Sequence, residues 1–269
     1  MNDLIAGPAR PHSPEMSELK ATFERDGFLN FPTNIPEALL DQARSDVESV
    51  LLKRPRIQDA WQKSLAVHTI AVWPEILAML ANFYGKKPRP FQTLNFRMGT
   101  EQDIHADTVH FNSMPRGYMC GVWVALEDID EENGPLIYYP GSHRWPEVTL
   151  KDVEEAGYFK RNWRDEARTL GNRMGVPPIQ QGPHYRHYER YMADLVARSG
   201  VQPKLGVVKK GHAILWAANL AHGGSPQKDK TRTRWSQVNH YFFEGGKYYT
   251  PLHSHGSFVW FRDPNFLPL

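Results

Sequence analysis

The sequence predicts a mainly β domain with helical support, of the sandwich or jelly-roll type. Three observations predict it. From Pro90 onward, short strand-like runs are separated by turn signals: Pro115-Arg116-Gly117, Asn133-Gly134-Pro135, Pro140-Gly141, Gly223-Gly224 and Gly245-Gly246. Before Pro90, apolar residues recur at helical spacing instead. The chain is also rich in aromatics, with 8 Trp, 11 Tyr and 13 Phe, which suit strands and pocket walls as well as an ordinary core.

The polar stretch 1–14, with three prolines, reads as a loose tail. Ser13-Pro14-Glu15 opens a helix with proline at its first position, Asp26-Gly27 ends it, and Phe28 to Phe31 follows as a short strand. A second helix starts near Ile35-Pro36 and carries Leu39, Leu40, Ala43, Val47, Val50 and Leu51 on one face. Residues 57–84 read as mostly helical, broken at Pro74. Strands are predicted at 91–98, 104–112, 117–126, 135–140, 204–209, 212–217 and 233–243. Residues 146–203 interrupt them, with helices at 150–157 and 187–198 around a polar loop. The expectation is one domain over 1–269: helical support over 1–89, a jelly-roll core over 90–145 and 204–250, and an insertion or lid over 146–203.

Bulk properties exclude little. A hydrophobic share of 41% allows a normal core, and 32 Lys and Arg against 30 Asp and Glu give no charge signal for nucleic acid or a membrane surface. No apolar signal segment opens the chain and no run approaches the length of a membrane span, so a cytoplasmic location is the default expectation. The lone Cys120 has no partner for an internal disulfide and reads as a packed thiol. Nothing forbids a homo-oligomer.

The chemistry is concentrated at Ile104-His105-Ala106-Asp107. On a strand, residues i and i+2 face the same way, so His105 and Asp107 can reach one ion together. His222, after the apolar strand Ala213 to Ala217 and before Gly223-Gly224, is the best third ligand. Two imidazoles and one carboxylate leave three octahedral positions open, the facial triad of non-haem Fe(II) oxygenases. With 12 histidines in the chain, His-x-Asp alone is a weak signal. Further support comes from Thr231 to Tyr241, where Arg232, Arg234, Ser236, Val238 and His240 share a strand face. An arginine turned into a β fold needs a partner, either the distal carboxylate of 2-oxoglutarate or one of the protein's own acids.

These motifs, taken in order, resemble the phytanoyl-CoA dioxygenase family of Fe(II)/2-oxoglutarate oxygenases. The residues that carry the resemblance are His105-Ala106-Asp107, Trp123 to Asp128, Asn133-Gly134-Pro135-Leu136, Pro140-Gly141-Ser142-His143, His222-Gly223-Gly224-Ser225 and the Arg232 to Tyr241 run, with Phe23 to Phe28 as an opening element. The resemblance implies a double-stranded β-helix (jelly roll, cupin-like). It implies His105, Asp107 and His222 as iron ligands, and Arg234, with Arg232 as the alternative, as the anchor of 2-oxoglutarate. Trp123 and Asn95 are implied as co-substrate contacts, and His143 reads as structural. Where the family often has Ser two residues after the distal His, this chain has Gly224; Ser225 or a water takes the role. The implied reaction consumes O2 and 2-oxoglutarate, releases succinate and CO2, and hydroxylates a small-molecule substrate. The carboxylate of Asp107 favours hydroxylation over halogenation.

Other residues stay open. His110, Phe111 and Asn112 follow the ligand pair and could line the substrate side, although His110 has the wrong parity for a ligand on an unbroken strand. His253-Ser254-His255 has metal spacing in a C-terminal loop. Arg161, Trp163, Arg164, Arg173, Tyr185 and their neighbours make the insertion basic and aromatic, which fits either a lid over a polar or anionic molecule or a solvated helix face. A cupin-type metalloenzyme without 2-oxoglutarate and a non-catalytic binding protein are the competing readings.

Overall fold

The computed structural model describes residues 14–176 and 182–269. The tail expected before Pro14 therefore lies outside the described residues.

The elements follow in chain order: α1 (Pro14–Asp26), β1 (Phe28–Pro32), α2 (Glu37–Leu51), β2 (Arg56–Gln58), α3 (Leu65–Ala71), α4 (Pro74–Tyr84), β3 (Pro88–Phe96), β4 (Asn112–Met114), β5 (Met119–Ala125), β6 (Leu136–Tyr138), α5 (Leu150–Glu155), α6 (Trp163–Arg173), α7 (Tyr185–Ser199), β7 (Lys204–Leu205), β8 (His212–Ala217), β9 (His222–Gly224), β10 (Ser236–Phe243), β11 (Lys247–Tyr249) and β12 (Phe261–Arg262). Six strands form the major sheet in the order β1-β8-β5-β10-β3-β2; β7-β6-β9 and β12-β11-β4 form two smaller sheets. Neighbours pair antiparallel throughout. This is a double-stranded β-helix, with the functional cavity between the major sheet and β6-β9.

Side-chain alternation sorts the major sheet into two faces. On β5, Cys120, Val122 and Val124 pack with Leu40, Val67, Ile70 and Leu80 of the N-terminal helices, while Trp123 and Ala125 face inward. On β8, Ala213 and Leu215 join the helical layer, and Ile214 and Trp216 turn inward. The helices thus cover one face of the sheet, and the opposite face is left for the site. Cys120 is a buried free thiol in that helical layer, and burial pushes its pKa up. By length and composition one stretch, Leu65–Tyr84, could cross a membrane, contrary to the sequence expectation. It breaks at Val72-Trp73 into α3 and α4, whose Val67, Ile70, Ile76 and Leu80 lie in the core under the sheet.

Two elements of the helical segments differ from expectation. The segment after α2 opens with the edge strand β2. The polar loop expected in the insertion contains α6, which starts with a reciprocal cap between Asn162 and Asp165. Among the α6 residues only Asp165 is buried, so no apolar stripe announced the helix.

The junction of α1 and β1 depends on a close approach. Gly27 has φ +81°, and a Cβ there would lie 2.3 Å from His143 Nδ1. The His143 ring stays over Gly27 because its Nε2–H donates to the Glu24 carbonyl at 3.1 Å, a structural role. Gly27→Ala should therefore lower the urea midpoint, at unchanged m-value, by the equivalent of about 1–3 kcal/mol. An unchanged midpoint would mean that the turn tolerates a side chain.

Candidate metal centre

His105 and His222 are an antiparallel backbone pair outside the regular ladders. Each donates its N–H to the other's carbonyl at 2.9 Å, which sets the two rings side by side, with centroids 4.4 Å apart. Gly223 and Gly224 make this approach feasible. A Cβ on Gly223 would sit 2.8 Å from the Gln102 carbonyl, and one on Gly224 3.0 Å from the Gln102 nitrogen.

The strand expected over 104–112 is not formed. His105 makes only the isolated bridge, Ala106 is extended (φ −121°, ψ 141°), and Asp107–Val109 turns into a 3-10 helix. The turn is closed by the His110 and Phe111 N–H groups donating to the Asp107 carbonyl at 2.9 and 2.8 Å. One extended residue between the ligands is enough to keep their side chains on the same side. The buried Tyr188 hydroxyl of α7 accepts from the Ala106 N–H at 3.2 Å and so fixes the backbone between the two ligands.

The three side chains converge. His105, Asp107 and His222 are all buried and offer ligand atoms within 4.8 Å of one another. Asp107 Oδ1 lies 3.8 Å from His105 Nε2 and 3.9 Å from His222 Nε2. The Nδ1–H groups donate to the Asp103 carbonyl at 2.8 Å and the Leu220 carbonyl at 2.9 Å, which leaves both Nε2 lone pairs toward the common centre. The Trp216 indole N–H donates to Asp107 Oδ2 at 2.8 Å and leaves Oδ1 for an ion. The Gln102 amide lies 3.2 Å from His105 Nε2 and must swing aside for ligation.

The protonation states fit a cation site. Burial, reinforced by His222, lowers His105 to about 3 despite Asp107. Burial alone would raise Asp107, but the imidazoles of His222, His240 and His105 and the Trp216 N–H hold it at about 2. A neutral imidazole at His105 and an ionised carboxylate at Asp107 are the forms that bind a metal.

A cavity of about 360 Å³ opens from the three ligands and is lined by Gln92, Trp123, Trp216, Arg234, Val238 and His240 among others. Arg234 is only 2% exposed; its guanidinium donates to the Gly134 carbonyl at 3.0 Å, and its Nε–H has no acceptor among the described residues. Burial lowers it to about 10, against the pull of Glu127, so it remains a cation at neutral pH. The buried Trp123 indole N–H also lacks an acceptor among the described residues, and the Arg234 guanidinium carbon lies 5.7 Å from the Trp123 ring centre. Two buried, partly unsatisfied donors on one cavity wall fit an anionic co-substrate.

Three of the residues expected at the co-substrate lie elsewhere. Arg232 precedes the strand, which begins only at Ser236, and pairs with Asp130 at 2.9 Å. Asn95 has the opposite parity to the cavity-lining Gln92, Leu94 and Phe96 of β3; it donates to Gln237 at 3.2 Å in the layer toward the helices. Ser225 donates to the Pro135 carbonyl at 2.8 Å and is absent from the cavity wall. His110 lines the cavity without belonging to the metal cluster, its ring 4.7 Å from that of Tyr185. His253 lines the cavity, whereas His255 lies 3.9 Å from Glu166, so this pair forms no metal cluster. Sequence reasoning missed Trp216, Gln92 and Gln102. The signal for Trp216 was its parity with Ile214 on an apolar strand, which hid its N–H.

Fold and site together define a jelly-roll protein with a mononuclear His-Asp-His centre. Residues 71–234 match the family model of phytanoyl-CoA dioxygenase, and the chain belongs to that family. A relative is the phytanoyl-CoA dioxygenase domain-containing protein 1 homolog of Caenorhabditis elegans, 26% identical over 53% of this chain and 46% of that protein. The human peroxisomal phytanoyl-CoA dioxygenase is 21% identical over 47% of each chain. The chain spans about half the length of the curated relatives it matches. Among solved structures, EctD from S. alaskensis with 2-oxoglutarate and 5-hydroxyectoine aligns with TM-score 0.64 at 18% identity, over 97% of this chain and 88% of that one. The epimerase SnoN in complex with Fe3+, alpha ketoglutarate and nogalamycin RO aligns with TM-score 0.62 at 17% identity, over 87% and 86%.

Two measurements check the geometry. Trp216→Phe removes the N–H that orients Asp107, and Gly121→Ala drives a Cβ to 2.3 Å from the Trp216 ring. Each should weaken metal affinity about 10–100-fold in a Co(II) titration while the fold is kept; unchanged affinity would show that Asp107 needs no such support. The second concerns acid stability of the metal-free chain. His105 is lowered to about 3, and burial lowers His110 and His253 to about 4. The unfolded chain protonates these groups near pH 6.5. It therefore binds more protons than the fold between about pH 6.5 and 3, and stability falls as the pH falls through that window. Asp107, lowered to about 2, extends the loss below pH 4 in the same direction. The urea midpoint should drop accordingly, less steeply in His110→Gln, and a flat midpoint would contradict the burial of these rings.

Proposed function

We propose that the protein is an Fe(II)/2-oxoglutarate-dependent dioxygenase that hydroxylates a small polar or anionic molecule at an unactivated C–H, with release of succinate and CO2. The observation that carries this reading is one cavity with a three-ligand centre and a buried cation that has no acid partner on its wall.

Fe(II) with a chelating keto acid supplies oxygen activation when bound. The rest follows from this chain's residues. His105, Asp107 and His222 would hold the metal through Nε2, Oδ1 and Nε2, and all three line the cavity. Arg234 pairs with the far carboxylate of 2-oxoglutarate, its Nε–H being without an acceptor among the described residues, and the Trp123 N–H supplies a further donor. The Trp216 hydrogen bond confines Asp107 to one oxygen for the metal. The aromatic walls at Phe111 and Tyr185 shield the reacting centre from water.

The test is an anaerobic titration with Fe(II) and 2-oxoglutarate. A visible charge-transfer band is expected, lost in His105→Ala and at least tenfold weaker in apparent affinity in Arg234→Ala. No band in the wild-type chain would remove the 2-oxoglutarate reading and favour a jelly-roll metalloprotein of another kind.

A further inference from the structure

The same cavity carries charge that iron and 2-oxoglutarate leave unused. Arg56, on edge strand β2, and Arg262, on edge strand β12, both line it. Among the described residues Asp107 is the only carboxylate in the lining, and it belongs to the metal centre. A divalent metal, Asp107, a dianionic keto acid and Arg234 together sum to neutral. Arg56 and Arg262 then remain as uncompensated positive charge on the wall facing any substrate.

Arg56 is exposed and water serves it well. Arg262 is different. It is only partly exposed, no carboxylate of the described residues lies within ion-pair distance, and its guanidinium carbon sits 4.7 Å from the Phe111 ring centre and 5.8 Å from that of Phe91. Asp59 acts on it only at longer range, and the Asp59 carboxylate is engaged by the Thr93 N–H and the Gln58 amide. A guanidinium held against rings, with its N–H edge unclaimed among the described residues, is poised to receive an acidic group in a bidentate way. The position is also close to the chemistry. The Phe111 ring is 5.3 Å from His240, whose Nε2 is 3.6 Å from Asp107. Trp260 lines the same cavity as Phe111 and adds apolar wall.

We propose that Arg262 is the anion-recognising residue of the substrate pocket. The substrate is an organic anion whose acidic group, a carboxylate or a phosphate, pairs with Arg262 while its carbon skeleton lies against Phe111 and Trp260. This deepens the oxygenase reading and rests on it for the chemistry, but the binding step can be measured without turnover.

The experiment is anaerobic isothermal titration of the full chain with benzoate, phenyl phosphate, benzyl alcohol and benzylamine, with Fe(II) and saturating 2-oxoglutarate. At least one of the two anions should bind about ten or more times more tightly than the alcohol or the amine, and the preferred anion identifies the acidic group. Arg262→Gln should abolish that preference and Arg262→Lys should keep part of it, while the iron–2-oxoglutarate band of both variants stays intact as proof of a folded site. The proposal is overturned if neither anion outbinds benzyl alcohol, if Arg262→Gln binds the anion as wild type does, or if saturating 2-oxoglutarate eliminates anion binding and so assigns it to Arg234. Should the wild-type chain show no iron–2-oxoglutarate band, the oxygenase reading fails on its own. The same titration of metal-free protein, with Arg262→Gln beside it, then still decides the role of Arg262.

Discussion

Two reciprocal backbone hydrogen bonds between His105 and His222 hold the site together. They join a loop after β3 to the short strand β9, segments more than a hundred residues apart in the chain. Because the bond is between main chains, ring spacing does not depend on side-chain packing, and the Nδ1 locks on Asp103 and Leu220 then fix ring orientation. Asp107 follows by a single extended residue. The requirement propagates outward: Gly223 and Gly224 have no room for a Cβ against the 101–102 backbone. Ser225, which follows Gly224, is turned to the Pro135 carbonyl and takes no part in the cavity.

The inner face of a β sandwich is normally filled by interdigitating apolar side chains. Here the helical layer takes that burden on the outer face of the major sheet, which frees the inner face for Gln92, Trp216 and His240, while Asp107 and Arg234 reach the same cavity from outside the strands. Each polar group has an orienting partner: Gln92 for His240 at 3.0 Å, Trp216 for Asp107, the Gly134 carbonyl for Arg234. Arg234 is the least satisfied. Burying a cation with one carbonyl partner is costly, and such a cost is expected where an anionic ligand completes the site.

Much of this is legible in the sequence because the signals are local and periodic. Proline and glycine mark α1, α4 and the turns, and β5, β8 and β10 read as apolar strands. The misses have physical causes. The 104–112 run has strand composition, but the 3-10 turn at Asp107 is set by main-chain hydrogen bonds that composition does not report. Arg232 and Arg234 have the same parity, so alternation cannot separate them; in the fold Arg232 pairs with Asp130 and Arg234 lines the cavity. Asn95 reads as a co-substrate contact by resemblance, although its parity is opposite to that of Gln92 and Leu94, and parity wins. The cap at Asn162 and Asp165 is the one sign of α6.

The insertion meets both the cavity and the metal loop. Its helix α7 puts Tyr185 on the cavity wall against His110, and one turn on puts the buried Tyr188 hydroxyl on the backbone of Ala106, between the two ligands. Residues three apart on a helix share a face, so the side that meets substrate and the side that holds the metal loop are the same side. A change in α7 that reshapes the substrate wall therefore also acts on the geometry of His105 and Asp107. Under the proposed oxygenase reading, the substrate wall and the metal loop are thereby coupled through α7. Edge strand β12 is tied to the same loop, because its Arg262 lies 4.7 Å from the ring of Phe111, whose N–H closes the turn at Asp107, whereas β2 brings Arg56 to the cavity from the edge of the major sheet.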